Sequence, residues 1–159
     1  MVARDITIVI IDDDIRFGED LAYRLSRISR SRPLKLSPHA YHSVDLFLSD
    51  LRKGRFSRID LVLIDEDARD FLKKGSEKGG ANEGSQVILP QLYALMKSGS
   101  EPALADTVFA LISGKLDNSE MEEVNVRIRQ MRAIGIWPKE RNPEVDFYSR
   151  IQDLFSESA

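Results

Sequence analysis

Cysteine is absent from this chain of 159 residues, which excludes disulfides, thiolate catalysis and metal sites built on cysteine. Histidine is almost absent, since the chain has only His39 and His42, too few for a histidine-rich metal centre. A large excess of charge of one sign is missing as well, because the net charge is −3. The basic face that nucleic-acid binding requires is therefore not expected.

Long apolar runs are also missing. The first apolar stretch, Ile6–Ile11, is interrupted by Thr7 and followed by three aspartates, so it is neither a signal peptide nor a membrane span. We therefore expect a cytoplasmic protein that does not enter a membrane. The chain contains 42% apolar and 31% charged residues, which is typical of a globular domain large enough to bury its own core.

Short apolar runs alternate with amphipathic stretches, which predicts βα units and a parallel sheet. The predicted strands are residues 6–11, 34–41, 61–64, 108–112 and 135–138. Apolar residues at helical spacing predict helices around residues 17–28, 44–51, 89–96, 121–131 and 147–155. Ser119 and Glu122 predict a capping box for the fourth helix, and Pro143 suits the first turn of the fifth.

This order of elements predicts an α/β fold of the (βα)5 type, a doubly wound five-stranded parallel sheet with strand order 2-1-3-4-5. We expect a single domain over residues 1–159, with its core at about residues 5–155. The glycine-rich polar stretch at about residues 70–84 predicts an inserted flexible loop.

Acidic side chains follow two strands that this strand order makes neighbours. Asp12 and Asp13 come after the first strand and Asp65 after the third, at the edge where such folds bind ligands. Three carboxylates together repel unless a cation is present, and oxygen ligands favour Mg²⁺. Ser113 ends the fourth strand and Lys139 follows the fifth. The set suits phosphoryl transfer, with Asp65 as the nucleophile.

Taken singly, each of these residues has a commoner structural role. Aspartates after a strand usually cap the next helix or are solvated, Ser113 is most often a turn residue, and Lys139 is most often a surface lysine. Four residue types in the right order at the ends of four strands are hard to obtain by accident. The combination therefore predicts a functional site.

These residues resemble the receiver domains of bacterial response regulators. The family's first strand, acidic pair and first helix are similar to ITIVIIDDDIRFGEDLAYRL, and the strand ending in the phosphorylated aspartate is similar to DLVLID. The strand with the hydroxyl residue resembles VFALISG, and the lysine turn with the last helix resembles GIWPKERNPEVDFYSRI. The likeness covers about residues 5 to 155.

The resemblance implies a two-component signalling protein that is not a turnover enzyme. It implies that a histidine kinase or a histidine phosphotransfer protein phosphorylates Asp65, and that a conformational change relays the signal. Ser113 would hydrogen-bond the phosphoryl group and Lys139 would pair with it. The family also makes a homodimer possible, through the face formed by the fourth helix, fifth strand and fifth helix.

The resemblance also implies how Mg²⁺ is held. Asp13 would bind the ion directly and Asp12 largely through water. Asp65 and the backbone carbonyl of Asp67 would be further ligands.

The sequence departs from the family pattern at two informative places. Ile136 stands three residues before the lysine, where the family has its switch aromatic, and we expect that Trp137 does not replace it because neighbouring strand residues point to opposite faces. The glycine that normally follows soon after the phosphoacceptor corresponds to Gly84, nineteen residues along. The insertion therefore lies over the predicted site.

Two alternatives remain open. Asp65-Glu66-Asp67 resembles the D-x-D nucleophile motif of haloacid-dehalogenase phosphatases, although that family carries the motif on its first strand. The second alternative is a receiver-like interaction module that is never phosphorylated, which the inserted loop and Ile136 motivate.

Overall fold

The computed structural model describes residues 4–66, 84–114 and 118–155. In this part of the chain, five strands alternate with five α-helices. The strands are β1 (Ile6–Ile11), β2 (Leu36–Tyr41), β3 (Leu61–Asp65), β4 (Val108–Ser113) and β5 (Ala133–Pro138). The helices are α1 (Ile15–Ser29), α2 (Val44–Arg52), α3 (Leu89–Ser98), α4 (Asn118–Arg129) and α5 (Pro143–Phe155). A π-helical turn, Gly84–Ile88, leads into α3, and a short 3-10 turn, Pro102–Leu104, precedes β4.

The strands form one parallel sheet in the order β2-β1-β3-β4-β5. This confirms the predicted doubly wound α/β fold and its strand order. β1 and β3 lie side by side at the centre, with Ile11 opposite Ile64. The residues that follow these two positions therefore meet at the same edge of the sheet.

Helices cover both faces of the sheet, which explains why β1 and β3 are apolar on both sides. Val9 and Val62 belong to the core cluster that includes residues of α2, α3 and α4. Ile8 and Leu63 belong to a second cluster on the other face, with residues of α1 and α5. Among the described residues, no helix is long and apolar enough to cross a membrane.

Several predicted boundaries are wrong by a few residues. β2 begins at Leu36 rather than at residue 34, and β5 begins at Ala133 rather than at residue 135. α4 begins at Asn118, so Ser119 lies inside the helix and is not the N-cap of a capping box. Helix ends are set by backbone geometry that a short sequence pattern specifies only loosely.

Two positions of the predicted helical stripes also behave differently. Met131 lies beyond the end of α4, although it packs against the core from the following turn. Leu154 is 38% exposed on α5, whereas Tyr148 is buried there. The Tyr148 hydroxyl exchanges hydrogen bonds with the backbone of Leu34, at 3.0 Å from its nitrogen and 3.2 Å from its oxygen. These bonds explain how a polar aromatic can take a core position.

β5 contains one extra residue relative to β4. Phe109 pairs with Ala133 and Leu111 pairs with Ile136, so two steps along β4 match three steps along β5. Such an extra residue is a β-bulge. Gly135 lies within it with a φ of 143°, a conformation that glycine adopts without the strain that other residues would incur.

The bulge decides which side chains of β5 face each side of the sheet. Ile136 packs against the cluster beneath α2, α3 and α4. Trp137 is buried on the opposite face, where its ring meets that of Phe147 at 5.2 Å between centroids. The prediction that Ile136 and Trp137 face opposite sides of the sheet is confirmed.

A buried carboxylate joins the strands at the edge opposite the predicted site. Asp60 is 2% exposed, and its Oδ1 lies 2.7 Å from Arg4 Nη1 and 3.0 Å from Arg58 Nε. Its Oδ2 accepts a hydrogen bond of 2.9 Å from the backbone N–H of Thr7 in β1. Asp60 therefore holds the start of β3 to β1.

The Asp60→Ala variant is expected to lose about 2 to 4 kcal/mol of unfolding free energy, because the half-buried Thr7 N–H loses its acceptor and two charge-assisted contacts disappear. Urea titration measures this loss. Asp5→Ala, which changes an exposed carboxylate nearby, is the matched control and should stay near wild type. A loss below about 1 kcal/mol for Asp60→Ala would contradict the structural role given to it.

Candidate functional site

Three aspartates converge at the carboxyl edge of the sheet, as the sequence predicts. Asp12 follows β1, Asp65 ends β3, and one carboxylate oxygen from each of these and from Asp13 lies within 4.8 Å of the other two. Asp12 and Asp65 are each 1% exposed, whereas Asp13 is half-buried. The strand order brings these groups together although Asp12 and Asp65 are 53 positions apart in the sequence.

The turn after β1 is fixed by its own aspartates. The Asp12 backbone N–H donates to the Tyr41 carbonyl at 3.0 Å, and Asp12 Oδ1 accepts from the Asp14 N–H at 2.9 Å. Asp14 is the N-cap of α1 and accepts from the Phe17 N–H at 3.2 Å. Asp14 therefore has a capping role, and the structure assigns only Asp12 and Asp13 of this run to the acidic cluster.

Lys139 lies between two of the carboxylates. Its Nζ is 2.9 Å from Asp12 Oδ2 and 3.0 Å from Asp65 Oδ1. The Lys139 backbone N–H donates to the Ser113 carbonyl at 2.9 Å, which ties the turn after β5 to the end of β4. A second contact was not predicted from the sequence: Nζ lies 4.4 Å from the centroid of the Phe17 ring.

Ser113 lies at the same edge of the sheet. It is the last residue of β4, is 6% exposed, and follows Ile112, the residue that pairs with Asp65. The N–H of Glu66 donates to the Ile112 carbonyl at 2.9 Å, so the chain continues alongside β4 past the end of β3. Asp67 and the predicted loop before Gly84 lie outside the described residues.

The electrostatics of the cluster are dominated by burial. Burial and the neighbouring Asp12 raise the pKa of Asp65 to about 8, against the opposing effect of Lys139. Burial also raises the pKa of Asp12, although Lys139 opposes this too. For Lys139, burial acts to lower the pKa, but the carboxylates of Asp65 and Asp12 outweigh it and raise the value. One ammonium thus does not compensate the buried negative charge fully.

The donor set fits a hard divalent cation. Asp12, Asp13 and Asp65 offer carboxylate oxygens only, and these lie close enough together to serve one ion directly or through water. Magnesium prefers such oxygen ligands, and it relieves the repulsion that otherwise keeps a buried carboxyl protonated. The residues present therefore suit Mg²⁺ and would hold it at this edge.

Gly84 lies directly against the backbone of the acidic site. Its N–H donates to the Glu66 carbonyl at 3.2 Å, and a Cβ at this position would clash with the Asp65 carbonyl and lie 2.8 Å from the Glu66 Cα. A residue without a side chain is therefore required here. This close approach agrees with the family resemblance, in which Gly84 corresponds to the glycine that follows the phosphoacceptor.

A polar connection leads from the site towards α4, and sequence reasoning did not find it. The buried Glu66 accepts a hydrogen bond of 2.7 Å at Oε1 from the Ser85 N–H. Arg127 of α4 donates to the Ser85 hydroxyl at 3.1 Å. No spacing in the sequence signals this contact, because the three residues come from separate elements.

The sequence of the chain matches no family model and no curated protein. Solved structures do match it. The signal receiver domain of a DNA-binding response regulator (merR) from Colwellia psychrerythraea 34H superposes with a TM-score of 0.57 at 16% identity, over 93% of this chain and 99% of that one. The signal receiver domain of the response regulator NarL from Mycobacterium tuberculosis gives 0.52 at 19% identity, over 95% and 96%.

A LuxR-family DNA-binding response regulator from Silicibacter pomeroyi is similar as well, with a TM-score of 0.56 at 18% identity over 92% of this chain and 88% of that one. Together these structures confirm the resemblance at the level of the fold. The chain has the five-stranded flavodoxin-like fold of response regulator receiver domains.

Proposed function

We propose that this chain is a phosphoacceptor of two-component signalling, in which Asp65 takes a phosphoryl group in a Mg²⁺-dependent reaction. The donor would be a histidine kinase or a histidine phosphotransfer protein. The observation that carries the proposal is the buried Asp65 carboxylate, 3.0 Å from Lys139 Nζ and within one acidic cluster with Asp12 and Asp13. A carboxylate, an ammonium and a cation-binding cluster are the groups that phosphoryl transfer needs.

The reaction follows from the chemistry of these groups. A carboxylate oxygen of Asp65 attacks the phosphorus of the donor, and a new P–O bond forms while the P–N bond of the phosphohistidine breaks. The imidazole leaves with the bonding electron pair. Water later attacks the acyl phosphate and releases inorganic phosphate, which returns Asp65 to its carboxylate form. Asp65 is then ready for another phosphorylation, and we propose that the protein serves as a signalling switch between these two states rather than as a turnover enzyme.

The other residues have supporting roles. The Lys139 ammonium pairs with a phosphoryl oxygen, and the Ser113 hydroxyl donates a hydrogen bond to another. When bound, Mg²⁺ neutralises charge on the phosphoryl oxygens and lowers the pKa of Asp65, so that the attacking group is ionised at neutral pH. Asp12, Asp13 and Asp65 would supply side-chain ligands, and the carbonyl of Asp67 remains part of the proposal.

The signal would reach α4 through polar contacts. Glu66, the residue after the phosphoacceptor, binds the backbone of Ser85, and Ser85 accepts from Arg127 of α4. A change at Asp65 would be passed to the adjacent Glu66 and from there to α4. This route for the signal needs no aromatic residue at position 136, where the chain has Ile136. Amide hydrogen exchange in α4, before and after phosphorylation, reports on this relay.

Partner surfaces and location complete the proposal. The homodimer or partner contact that the family resemblance implies would use the face of α4, β5 and α5, where Val126 and Ile134 are 58% and 44% exposed. A cytoplasmic location, as expected from the sequence, belongs to the same proposal.

Incubation with acetyl phosphate and Mg²⁺ tests the proposal, with intact-protein mass spectrometry as the measurement. We expect the wild-type protein to gain one phosphoryl group, to gain none when EDTA removes the metal, and to lose the group again after the donor is removed. No added mass under any of these conditions would favour the interaction module. Continuous release of phosphate from a generic phosphomonoester would favour the phosphatase.

A further inference from the structure

The Lys139 ammonium has a third neighbour besides the two carboxylates. Its Nζ lies 4.4 Å from the centroid of the Phe17 ring, within the range of a cation–π contact. The Lys139 side chain is 18% exposed, so much of the ammonium's surroundings are protein. The position of the Lys139 ammonium is thus set by three neighbours, Asp12, Asp65 and Phe17.

Phe17 is itself held in place from two sides. Its backbone N–H donates to the N-cap Asp14 at 3.2 Å, which fixes the first turn of α1. Its ring is half-buried and packs against the core cluster beneath α1 and α5. A ring packed in this way is a suitable support for a lysine, because the four-carbon stem of a lysine side chain is flexible.

An aromatic ring also differs from a carboxylate in what it does during the reaction. A phosphoryl group that arrives on Asp65 draws the ammonium away from the carboxylate oxygens, because the phosphoryl oxygens become its partners. The ring of Phe17 attracts the cation through its quadrupole and offers no oxygen that competes with the phosphoryl group. We therefore expect the contact between Phe17 and Lys139 to persist when the ion pairs rearrange.

We propose that Phe17 is a positioning residue for phosphoryl transfer, which acts by holding the Lys139 ammonium where the transferring oxygens need it. The proposal rests on the proposed function of Asp65. It goes further in assigning a role to an apolar side chain that lies outside the acidic cluster and to which the family resemblance gives no role. Because the same ammonium serves attack and hydrolysis, Phe17 supports both phosphoryl uptake and phosphoryl loss.

The experiment compares Phe17→Leu, Phe17→Tyr and Tyr23→Leu with the wild-type protein, using acetyl phosphate and Mg²⁺ at saturation. Phe17→Leu keeps an apolar side chain without a ring and is expected to slow both uptake and loss by about threefold to tenfold, the range that a cation–π contact of ordinary strength implies. Phe17→Tyr keeps the ring and should restore wild-type rates. Tyr23→Leu removes an aromatic from α1 that is 61% exposed and should leave both rates unchanged.

A fluorinated series separates positioning from packing. Replacing Phe17 by phenylalanines with one, two and three ring fluorines withdraws charge from the ring face with little change in volume. The logarithm of each rate is expected to fall steadily with the number of fluorines. Equal rates across the series would show that Phe17 only packs, and faster phosphate loss in Phe17→Leu would show general loosening of the site; either result overturns the proposal.

The experiment distinguishes failure of the function proposed for Asp65 from failure of the role proposed for Phe17. A wild-type protein that takes up no phosphoryl group overturns the function of Asp65 and, with it, the role of Phe17. A wild-type protein that is phosphorylated at the same rate as Phe17→Leu overturns only the role of Phe17.

Discussion

The Asp65→Asn variant is expected to take up no phosphoryl group from acetyl phosphate and, without Mg²⁺ at pH 8 or above, to be more stable than the wild-type protein. Loss of uptake follows because an amide does not attack phosphorus as a carboxylate does. The gain in stability follows because the substitution removes a negative charge that burial and Asp12 disfavour. We expect a gain of about 1 to 3 kcal/mol, because Asp12 still pairs with Lys139 while the disfavoured second negative charge is gone.

The difference in unfolding free energy between Asp65→Asn and the wild-type protein should depend on pH in a definite direction. The pKa of Asp65 is about 8 in the folded protein, against an ordinary value of 3.8. The folded state therefore holds the proton to higher pH than the unfolded state does. The stability that this proton contributes is fully present below pH 3.8 and is lost as the pH rises through about 8. The difference between the variant and the wild-type protein should grow over this window and then level off.

Asp13→Asn is the matched control for Asp65→Asn. It removes a half-buried carboxylate from the same cluster but leaves the nucleophile in place. We expect it to be phosphorylated, though only at a higher Mg²⁺ concentration, because one cation ligand is weakened. Mass spectrometry and urea titration at several pH values measure both effects. Phosphorylation of Asp65→Asn to the wild-type level would place the acceptor on a different residue.

Replacing Lys139 by methionine is expected to slow phosphorylation about 100-fold or more, the usual cost of removing one group that stabilises charge in a transition state. Methionine keeps an unbranched apolar stem beside Phe17 and removes the ammonium that lies 2.9 Å from Asp12 and 3.0 Å from Asp65. The rate of mass gain at saturating acetyl phosphate and Mg²⁺ measures the effect.

Two further lysine variants serve as comparisons for Lys139→Met. Lys139→Arg keeps the positive charge and should recover part of the lost rate, although its planar head does not match the position of a single ammonium. Lys35→Met removes an ammonium that donates to the carbonyls of Ser29, Arg30 and Arg32 at the C-terminal end of α1 and just beyond it. It should cost stability but leave the rate of phosphorylation unchanged. A wild-type rate in Lys139→Met would exclude the lysine from the chemistry.

The sequence alone located the acidic site because topology determines it. Once short apolar runs define a parallel sheet with β1 beside β3, the residues after those strands must meet. Asp12 and Asp65 therefore could be placed together without any coordinates, and Lys139 followed from the end of β5. In open α/β sheets of this kind, ligands bind beyond the carboxyl ends of the strands, and these positions follow from the strand order alone.

The contacts that sequence reasoning missed depend on how side chains from distant elements pack. Nothing in the order of residues shows that the Phe17 ring reaches Lys139. The same is true of Arg127, which binds Ser85. Each is a single contact that leaves no repeating pattern in the sequence, so neither could be predicted from it.

The opposite placement of Ile136 and Trp137 was predictable from the sequence, but the face of the sheet that each of them takes was not. Strict alternation from Ala133 would put Trp137 on the same side as Ala133, and Ile136 on the other. The bulge reverses this assignment, because Ala133 and Ile136 both face the α4 side. Alternation is a rule for uninterrupted pairing, and one extra residue is enough to invert it.

The extra residue in β5 also determines which backbone group meets the lysine. Pairing resumes after Gly135 with the register shifted by one, and the Lys139 N–H reaches the Ser113 carbonyl. Without the extra residue, every position of β5 after the bulge would move by one along β4, and Lys139 would lose this partner. One additional backbone unit therefore aligns the ammonium with the carboxylates of the neighbouring strands.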